Sequence, residues 1–410
     1  MINSDKQPRV LASTAAAPAA EAGSARSKIS TEVEQQLVAE LASDVQRQIV
    51  ERWPAYYPGR ANGPQPTIAV TPRHFGFSVI FKVDLEFPSG GGRERFMIKI
   101  RRQHKHGSFL LGELSERTLA LSRAEYDEHL KAYRFFAGRT DGLSVVRPLD
   151  FVESHNAFVV EHADGDDLSK LVRRGSPVVQ AAIRRCGEWW RLFHHELHQS
   201  VERAWTPEAL DPGLERRFAR LHAIGAPADT LTTLADEIRL AARRVEPVPV
   251  PVSVVHGDCK LRHVWATANG IQVLDFGNTK TGDSWIDPAA LVVELSLYSL
   301  WTRRIDSRRT AAEMQTLLRA YFGGPPPAAF SLYVVDCLLK KWHRRLRKWG
   351  PGEGLTQLRR SLQSAGLDKP LERLYIDRWF TNQIRAWLAV ADGQPPAWLQ
   401  PVVGSTNNAG

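Results

Sequence analysis

The spacing of hydrophobic residues near the start of the chain predicts an amphipathic helix. Five apolar residues recur at four-residue steps, close to the period of an α-helix: Val33, Leu37, Leu41, Val45 and Ile49. Thr31 and Glu34 have the spacing of a capping box, which satisfies the first backbone amides of a helix. Prolines and glycines between Pro54 and Pro66 end the pattern, so a loop is expected there.

Short apolar runs separated by turn residues then predict a small sheet. Residues rich in β-branched and aromatic side chains form three segments, which we expect to be strands: 67–70, 79–85 and 96–100. A further hairpin is predicted within residues 145–163.

The second half of the chain has the longer period of helices. Apolar residues near helical spacing over 179–197 predict one helix, and residues 206–245 add further helix. Later helices are expected over 288–301, 308–322, 329–348 and 371–391. No internal repeat is evident.

Two carboxylates stand at the ends of apolar runs, where charged residues are rarely found. Residues 254–265 predict a buried strand, a polar loop that contains Asp258, and a second short strand. A later apolar run ends in Asp275. A fold that placed Asp258 and Asp275 side by side would hold a divalent cation and a base, which is the minimum that phosphoryl transfer needs.

The order and spacing of these motifs resemble a known family. They are His256-Gly257-Asp258, a ligand position at residue 263, Asp275-Phe276-Gly277, and the segment from Gly282 to Asp287. Together they resemble the aminoglycoside phosphotransferase and choline kinase-like family, whose members are small-molecule kinases with a protein-kinase-like fold. The resemblance covers roughly residues 68–325 and is most specific over 254–291.

The resemblance implies an α+β, two-lobed fold, with a small antiparallel-sheet N-lobe and a larger, mostly helical C-lobe. We expect four segments: a disordered Ala/Ser/Pro-rich tail over residues 1–27, an N-terminal lobe over 28–163 with an extra helix and the nucleotide-binding sheet, a helical C-terminal lobe over 164–398 with the catalytic loop and acceptor site, and a loose tail over 399–410.

The resemblance also assigns roles in the catalytic loop. Asp258 is expected to be the catalytic base, because it occupies the family's His-Gly-Asp position. Asp275 is expected to be the main Mg²⁺ ligand, since hard cations prefer carboxylate oxygen. Asp287 is expected to brace the loop, and His256 to shape it.

Two positions depart from the common pattern. Most members carry Asn at position 263, and here it is His263, whose imidazole is a poorer ligand for Mg²⁺ and a better one for Mn²⁺. Lys260 lies two residues beyond the base, where a cation could stabilise the transferring phosphoryl group. A loop lysine that faces solvent is the alternative for Lys260.

Lys99 lies in an apolar strand, where a lysine needs a partner or a ligand. The kinase pattern places a phosphate-contacting lysine there, paired with a glutamate on the next helix. That helix is expected to include residues 123–137. Glu125 is the first choice of partner and Glu128 the alternative. An edge-strand lysine that points to water also stays open.

Two backbone segments are expected to contact the nucleotide. The resemblance implies that the turn containing Gly76 and Ser78 covers the phosphates, although an ordinary hairpin turn is the alternative. It also implies that the segment from Glu161 to Ala163 is the hinge between the lobes, where backbone groups pair with adenine.

Composition narrows the remaining classes. The chain has 410 residues, of which 43% are hydrophobic, enough for two lobes around a deep cleft. Cys186, Cys259 and Cys337 have no paired spacing, which argues against a disulfide framework and favours a reducing compartment, so a cytoplasmic location is expected. No apolar run of about 18 residues is present, so no transmembrane segment is expected.

Three neighbouring histidines invite a metal-site hypothesis. His194, His195 and His198 have no third ligand at convincing spacing, so ordinary hydrogen-bonded histidines are expected.

The net charge of +9 and pI of about 9.6 favour anionic partners. No nucleic-acid-binding module is recognisable, so a nucleic acid partner is not expected. One predicted helix carries a basic run with no acidic residue: Lys340, Lys341, His343, Arg344, Arg345, Arg347 and Lys348, with Trp342 and Trp349 among them. It predicts a neutral or anionic acceptor rather than a polyamine, while a solvated basic face and peripheral membrane contact stay open.

The combined prediction is an ATP-dependent phosphotransferase that uses Mg²⁺, or Mn²⁺, and acts on a hydroxyl of a small molecule or glycan. The alternative is a catalytically weak or inactive nucleotide-binding scaffold, which the histidine at position 263 and the glycine-poor turn at Gly76 would suit.

Overall fold

The computed structural model describes residues 31–88, 92–301, 307–347 and 368–394. The predicted tails at 1–27 and 399–410 lie outside these residues, as do Lys348 and Trp349.

The first part of the chain forms two helices and a five-stranded antiparallel sheet. The helices are α1 (Thr31–Tyr56) and α2 (Glu116–Phe136). The sheet has the order β1-β2-β3-β6-β5, and its strands are β1 (Thr67–Phe75), β2 (Ser78–Glu86), β3 (Arg93–Arg101), β5 (Pro148–Val152) and β6 (Ala157–Glu161). A short strand, β4 (Leu143–Val145), follows α2 and pairs elsewhere.

The second part is mostly helical. Its helices are α3 (Leu168–Arg174), α4 (Val179–Leu192), α5 (Asp211–Ala223), α6 (Ala228–Arg244), α7 (Ile286–Trp301), α8 (Ser307–Phe322), α9 (Phe330–Arg347) and α10 (Asp368–Ala391). Six short strands accompany them: β7 (Asp166–Asp167), β8 (Val201–Ala204), β9 (Pro249–Val255), β10 (Val264–Thr267), β11 (Gly270–Val273) and β12 (Lys280–Asp283).

Two small sheets frame the predicted catalytic segments. Strands β12, β9 and β8 form one sheet, and β4, β11, β10 and β7 form the other. Asp258 lies in the loop from β9 to β10, and Asp275 lies in the turn from β11 to β12. Both carboxylates therefore follow strand ends in neighbouring sheets.

The five-stranded sheet has one apolar face and one face that carries the polar side chains. Side chains alternate across a strand, so Val79, Phe81 and Val83 all point to one face, where each is fully buried. They pack in one cluster with Trp53 and other residues of α1. Lys99 lies in β3 between the buried residues Ile98 and Ile100, so its side chain emerges on the opposite face.

The Glu34 carboxylate takes part in tertiary contacts. Its carboxylate accepts a hydrogen bond from the Arg102 guanidinium at 2.5 Å and contacts His74 at 2.7 Å. Arg102 is only 3% exposed, so this ion pair ties the start of α1 to the end of β3.

An aromatic cluster forms the centre of the second core. Trp189 stacks on Phe136 with ring centroids 4.8 Å apart and on Phe193 at 5.1 Å. Phe276, which follows Asp275, is fully buried and packs against the same group, 5.9 Å from Phe193. The turn after β11 is thus anchored in the core by its aromatic residue.

The α+β prediction is confirmed, and the predicted later helices match α7 to α10 to within a few residues. The predicted end of the first strand is wrong, because β1 extends to Phe75 instead of ending at residue 70. The helix expected to include residues 123–137 is α2, which begins at Glu116 and ends at Phe136. Within the described residues, no helix is long and apolar enough to cross a membrane.

Candidate active site

Asp287, at the start of α7, holds the loop that carries Asp258. Its carboxylate accepts hydrogen bonds from the backbone amides of His256 at 2.6 Å and Gly257 at 3.1 Å. His194 Nε2 lies 3.1 Å from the same carboxylate, and its Nδ1 lies 3.0 Å from the Tyr321 hydroxyl. Burial opposes the charge of Asp287, but these hydrogen bonds and His194 prevail and hold the pKa of Asp287 below its usual value.

Gly257 has a backbone that only glycine fits. Its φ is +72°, and an added Cβ would lie 2.4 Å from the Asn278 carbonyl oxygen. Close approach of the two segments therefore fixes the loop just before Asp258.

Lys260 folds back onto Asp258 and is not a lysine that faces solvent. Its ammonium donates to the Asp258 carboxylate, and its side chain is 20% exposed. Burial lowers the pKa of Lys260, and the neighbouring Asp258 charge opposes that shift.

Asp275 has a left-handed backbone, with a φ of +72°, which is rare for a residue other than glycine. Lys99 Nζ lies 2.7 Å from Asp275 Oδ1, and His263 Nε2 lies 3.3 Å from Oδ2. Burial would raise the pKa of Asp275, but the Lys99 charge outweighs it and holds that pKa well below its usual range.

His263 presents an unprotonated nitrogen to Asp275. Its Nδ1 lies 3.1 Å from the Asp258 carbonyl oxygen, which can only accept, so Nδ1 carries the proton. Burial lowers the pKa of His263 to about 4, so the ring is neutral near pH 7. The lone pair of Nε2 then faces a carboxylate oxygen, with the Arg262 Nε at 3.3 Å as its donor.

These side chains form a group that fits a divalent cation. Among the residues that the structure describes, Asp258, His263 and Asp275 are the one set of potential ligands whose atoms all lie within 4.8 Å of one another. The two carboxylates suit Mg²⁺ or Mn²⁺, and the neutral imidazole favours Mn²⁺. A cation bound here would lie between the lone pairs of His263 and Asp275, which otherwise face each other.

Lys99 is paired with Glu125, the first-choice partner. The two side chains are joined at 2.7 Å, and Glu125 is 4% exposed. Burial would lower the pKa of Lys99, but Asp275 and Glu125 outweigh it and raise that pKa above its usual value. The alternative partner, Glu128, instead contacts His198 at 2.7 Å.

Arg101 is a site residue that the sequence reasoning missed. Its Nη2 donates to Glu125 Oε2 at 2.7 Å and to the Gly277 carbonyl oxygen at 3.2 Å. Residues two apart on a strand share a face, so its position relative to Lys99 was the signal that could have found it.

The predicted phosphate turn lies beside this group. Gly76 is in the turn between β1 and β2, and its carbonyl accepts from the His106 amide at 2.6 Å. Ser78 is 7% exposed and is the cross-strand partner of Arg101. The β2–β3 register thus brings the turn to the strand end that carries Lys99 and Arg101.

The predicted hinge is held by backbone and side-chain contacts. The Glu161 amide donates to the Arg147 carbonyl oxygen at 2.9 Å, and the Glu161 carboxylate accepts from Arg147 Nε at 2.9 Å. His162 donates its amide to the Arg95 carbonyl oxygen at 2.9 Å, and Ala163 is fully buried.

The three neighbouring histidines are hydrogen-bonded, as expected. His194 contacts Tyr321 and Asp287, His195 Nδ1 lies 2.9 Å from the Ser200 hydroxyl, and His198 contacts Glu128.

Part of the basic run in α9 is paired with an acid or half-buried. Lys341 forms an ion pair with Glu294 of α7, and Lys340 is half-buried. Trp342 is fully buried, and its indole donates to Asp377 at 2.7 Å. Helical spacing therefore places Trp342 in the core, apart from the basic residues beside it in sequence.

A family model described as "Phosphotransferase enzyme family", APH, matches residues 100–330, more than half of the chain. The chain belongs to this phosphotransferase family. The resemblance drawn from the motifs is confirmed, and so is the prediction of a phosphotransferase enzyme. The matched residues include Arg101, Asp258, Asp275 and Asp287.

Several solved structures are similar to this phosphotransferase. A choline/ethanolamine kinase family protein from Mesorhizobium loti has 16% identity and a TM-score of 0.47, with 85% of this chain and 99% of that chain covered. Aminoglycoside phosphotransferase APH(4)-Ia has 15% identity and a TM-score of 0.46, covering 85% and 98%. Amicoumacin kinase hAmiN, in complex with AMP-PNP, Ca²⁺ and Ami, has 12% identity and a TM-score of 0.47, covering 87% and 96%. No curated protein matches the sequence.

His129 is a buried residue that packs against Phe276, next to the site. Its burial predicts that stability depends on pH. Its Nε2 lies 2.6 Å from the Val146 carbonyl oxygen, and its ring packs 5.0 Å from Phe276. Burial lowers the pKa of His129 from 6.5 to about 4. Between these values the unfolded chain binds a proton that the folded chain does not, so stability falls as the pH falls below 6.5.

We expect His129→Gln to flatten this dependence. Between about pH 7.5 and pH 5, the variant should lose about 2 kcal/mol less unfolding free energy than the wild type, measured by urea denaturation. His222→Gln, at an exposed position on α5, is the matched control and should keep the wild-type slope. An unchanged slope in His129→Gln would contradict the assignment.

Proposed function

We propose that this phosphotransferase moves the terminal phosphate of ATP to a hydroxyl of a small molecule or glycan. Asp258 acts as the base, and Asp275 and His263 hold the divalent cation. The observation that carries the proposal is the approach of Asp258, His263 and Asp275 to within 4.8 Å of one another, beside Lys99.

Asp258 is suited to orient the acceptor and take its proton. Asp287 fixes the loop from behind, so the Asp258 carboxylate is presented at a defined place. In the reaction, the acceptor oxygen forms a bond to the terminal phosphorus while the bond from that phosphorus to the bridging oxygen breaks. The hydroxyl proton passes to Asp258, and ADP leaves.

Asp275 and His263 supply an oxygen and an imidazole nitrogen to the cation, which when bound would neutralise charge on the phosphates. The neutral imidazole makes Mn²⁺ a candidate beside Mg²⁺. Because His263 Nδ1 is held by the Asp258 carbonyl, its Nε2 keeps a fixed direction toward Asp275.

Two lysines are placed to contact phosphate oxygens. Lys99 is assigned to the nucleotide phosphates, because it lies between Glu125 and Asp275. Lys260 is assigned to the transferring group, because it lies on Asp258. Each can exchange its present carboxylate contact for a phosphate oxygen.

The remaining nucleotide contacts are assigned to backbone segments. The turn at Gly76 and Ser78 covers the phosphates, and the segment from Glu161 to Ala163 pairs with adenine. That segment also divides the lobes over 28–163 and 164–398.

A catalytically inactive nucleotide-binding protein is the second candidate. It is favoured by the replacement of the common asparagine by His263 and by the glycine-poor turn at Gly76. Turnover with Mg²⁺ or Mn²⁺ separates the two candidates.

For Asp258→Ala we expect loss of phosphate transfer with nucleotide binding retained, because the base acts on the acceptor. Transfer is measured by acceptor mass shift, and binding by calorimetric titration of ATP with Mn²⁺. Asp236→Ala, at an exposed site on α6, is the matched control and should behave as wild type. Turnover near wild type in Asp258→Ala would remove the base assignment.

The charges around Asp258 favour a neutral or anionic acceptor. Arg262 and Lys341 are both close enough to Lys260 to lower its pKa, after the larger effect of burial. Glu294 forms an ion pair with Lys341. A polycationic acceptor would therefore meet cations beside the base.

We expect sugar phosphates to inhibit phosphate transfer to the acceptor more strongly than aminoglycoside-type polycations do. The measurement is inhibition of transfer in parallel titrations with the two classes, at matched ionic strength because surface charge effects are screened. Efficient phosphorylation of the polycations would overturn this acceptor assignment.

A further inference from the structure

Arg101 makes a second cationic clamp on the glutamate that pairs with Lys99. Both cations come from β3, two residues apart on one face. Lys99 bonds Glu125 Oε1 and Arg101 bonds Oε2, each at 2.7 Å, and the Glu125 side chain is 3% exposed. One buried carboxylate is thus fully occupied by two cations.

The two cations also contact the residues on either side of Phe276 in the sequence. Lys99 contacts the side chain of Asp275 at 2.7 Å, and Arg101 donates to the Gly277 carbonyl oxygen at 3.2 Å. An added Cβ on Gly277 would lie 2.7 Å from both the Arg101 guanidinium and the Glu125 carboxylate. A side chain at this position would therefore displace the Arg101 guanidinium or the Glu125 carboxylate.

Charge explains why a second cation matters here. Glu125 and Asp275 together carry two negative charges, and Lys99 alone supplies one positive charge. With Arg101 the four groups balance, so Lys99 can turn toward phosphate without leaving Glu125 as an unpaired buried carboxylate. An unpaired buried charge is costly, so this arrangement keeps α2 and β3 joined.

We propose that Arg101 is a positioning residue for the metal and nucleotide site. It holds Glu125 and the Gly277 carbonyl, so Asp275 keeps its left-handed backbone and its direction when Lys99 exchanges Asp275 for phosphate. The inference rests on the proposed function, since it takes the metal and phosphates to meet at Asp275.

The test is calorimetric titration of ATP with Mn²⁺ on the full chain. Arg101→Gln should weaken binding at least about tenfold, as expected for loss of a hydrogen bond to a buried charge. Binding of ATP without metal should change by less than about threefold, because Arg101 acts through the turn that carries Asp275. Arg101→Lys should recover most of the affinity.

Two controls separate positioning from general stability. Arg93→Gln removes a more exposed arginine of the same strand, bound to Asp84 at 2.7 Å, and should leave metal-dependent binding unchanged. In a Glu125→Gln background, Arg101→Gln should cost less than it does in the wild type, because only the contact with the Gly277 carbonyl is left to lose. Equal losses in both backgrounds would overturn the inference.

A second variant keeps the test valid if Arg101→Gln does not fold. Gly277→Ala places a methyl against Arg101 and Glu125 and should also weaken metal-dependent binding. Wild-type affinity in the folded variants would overturn the role of Arg101. Absence of metal-dependent ATP binding in the wild type would instead overturn the proposed function.

Discussion

The site depends on bringing two carboxylates together in a partly buried cleft. Asp258 and Asp275 come within 4.8 Å, together with His263. Like charges at such a distance repel strongly where water is excluded, so the fold must compensate them. Lys260 is bound to Asp258, and Lys99 is bound to Asp275. The ring of His263 is neutral, so it adds no positive charge that would repel a bound cation.

Buried anchors behind the cleft hold this arrangement. Asp287 fixes the loop before Asp258 through two backbone amides. Phe276 lies in the aromatic core, so the strained φ of +72° at Asp275 is maintained by packing on the next residue. Strained backbone persists only where its surroundings determine it, and here both anchors are almost fully buried.

Sequence patterns predicted the parts of the site that local rules determine. Asp258 and Asp275 stood out because carboxylates end apolar runs, and Lys99 because it interrupts one. Glu125 was preferred to Glu128 from the family pattern, and the structure has the Lys99–Glu125 pair. The helical half was predictable because its apolar period is regular.

Other features depend on contacts between distant segments. Arg101 meets Gly277 across 176 positions of sequence, and no local period signals that contact. The basic run in α9 looked unpaired in the sequence, because the acid that pairs with Lys341 is Glu294 of another helix. Glu34 fitted a local capping rule, yet its carboxylate reaches Arg102, 68 positions away.

The central claim is that Asp275 and His263 share one divalent cation. Pulsed electron paramagnetic resonance of Mn²⁺ bound with ATP tests it directly, because a coordinated imidazole gives a ¹⁴N coupling. The account predicts that coupling in the wild type and its loss in His263→Asn, with Mn²⁺ still bound in both. Identical spectra from the two proteins would contradict it.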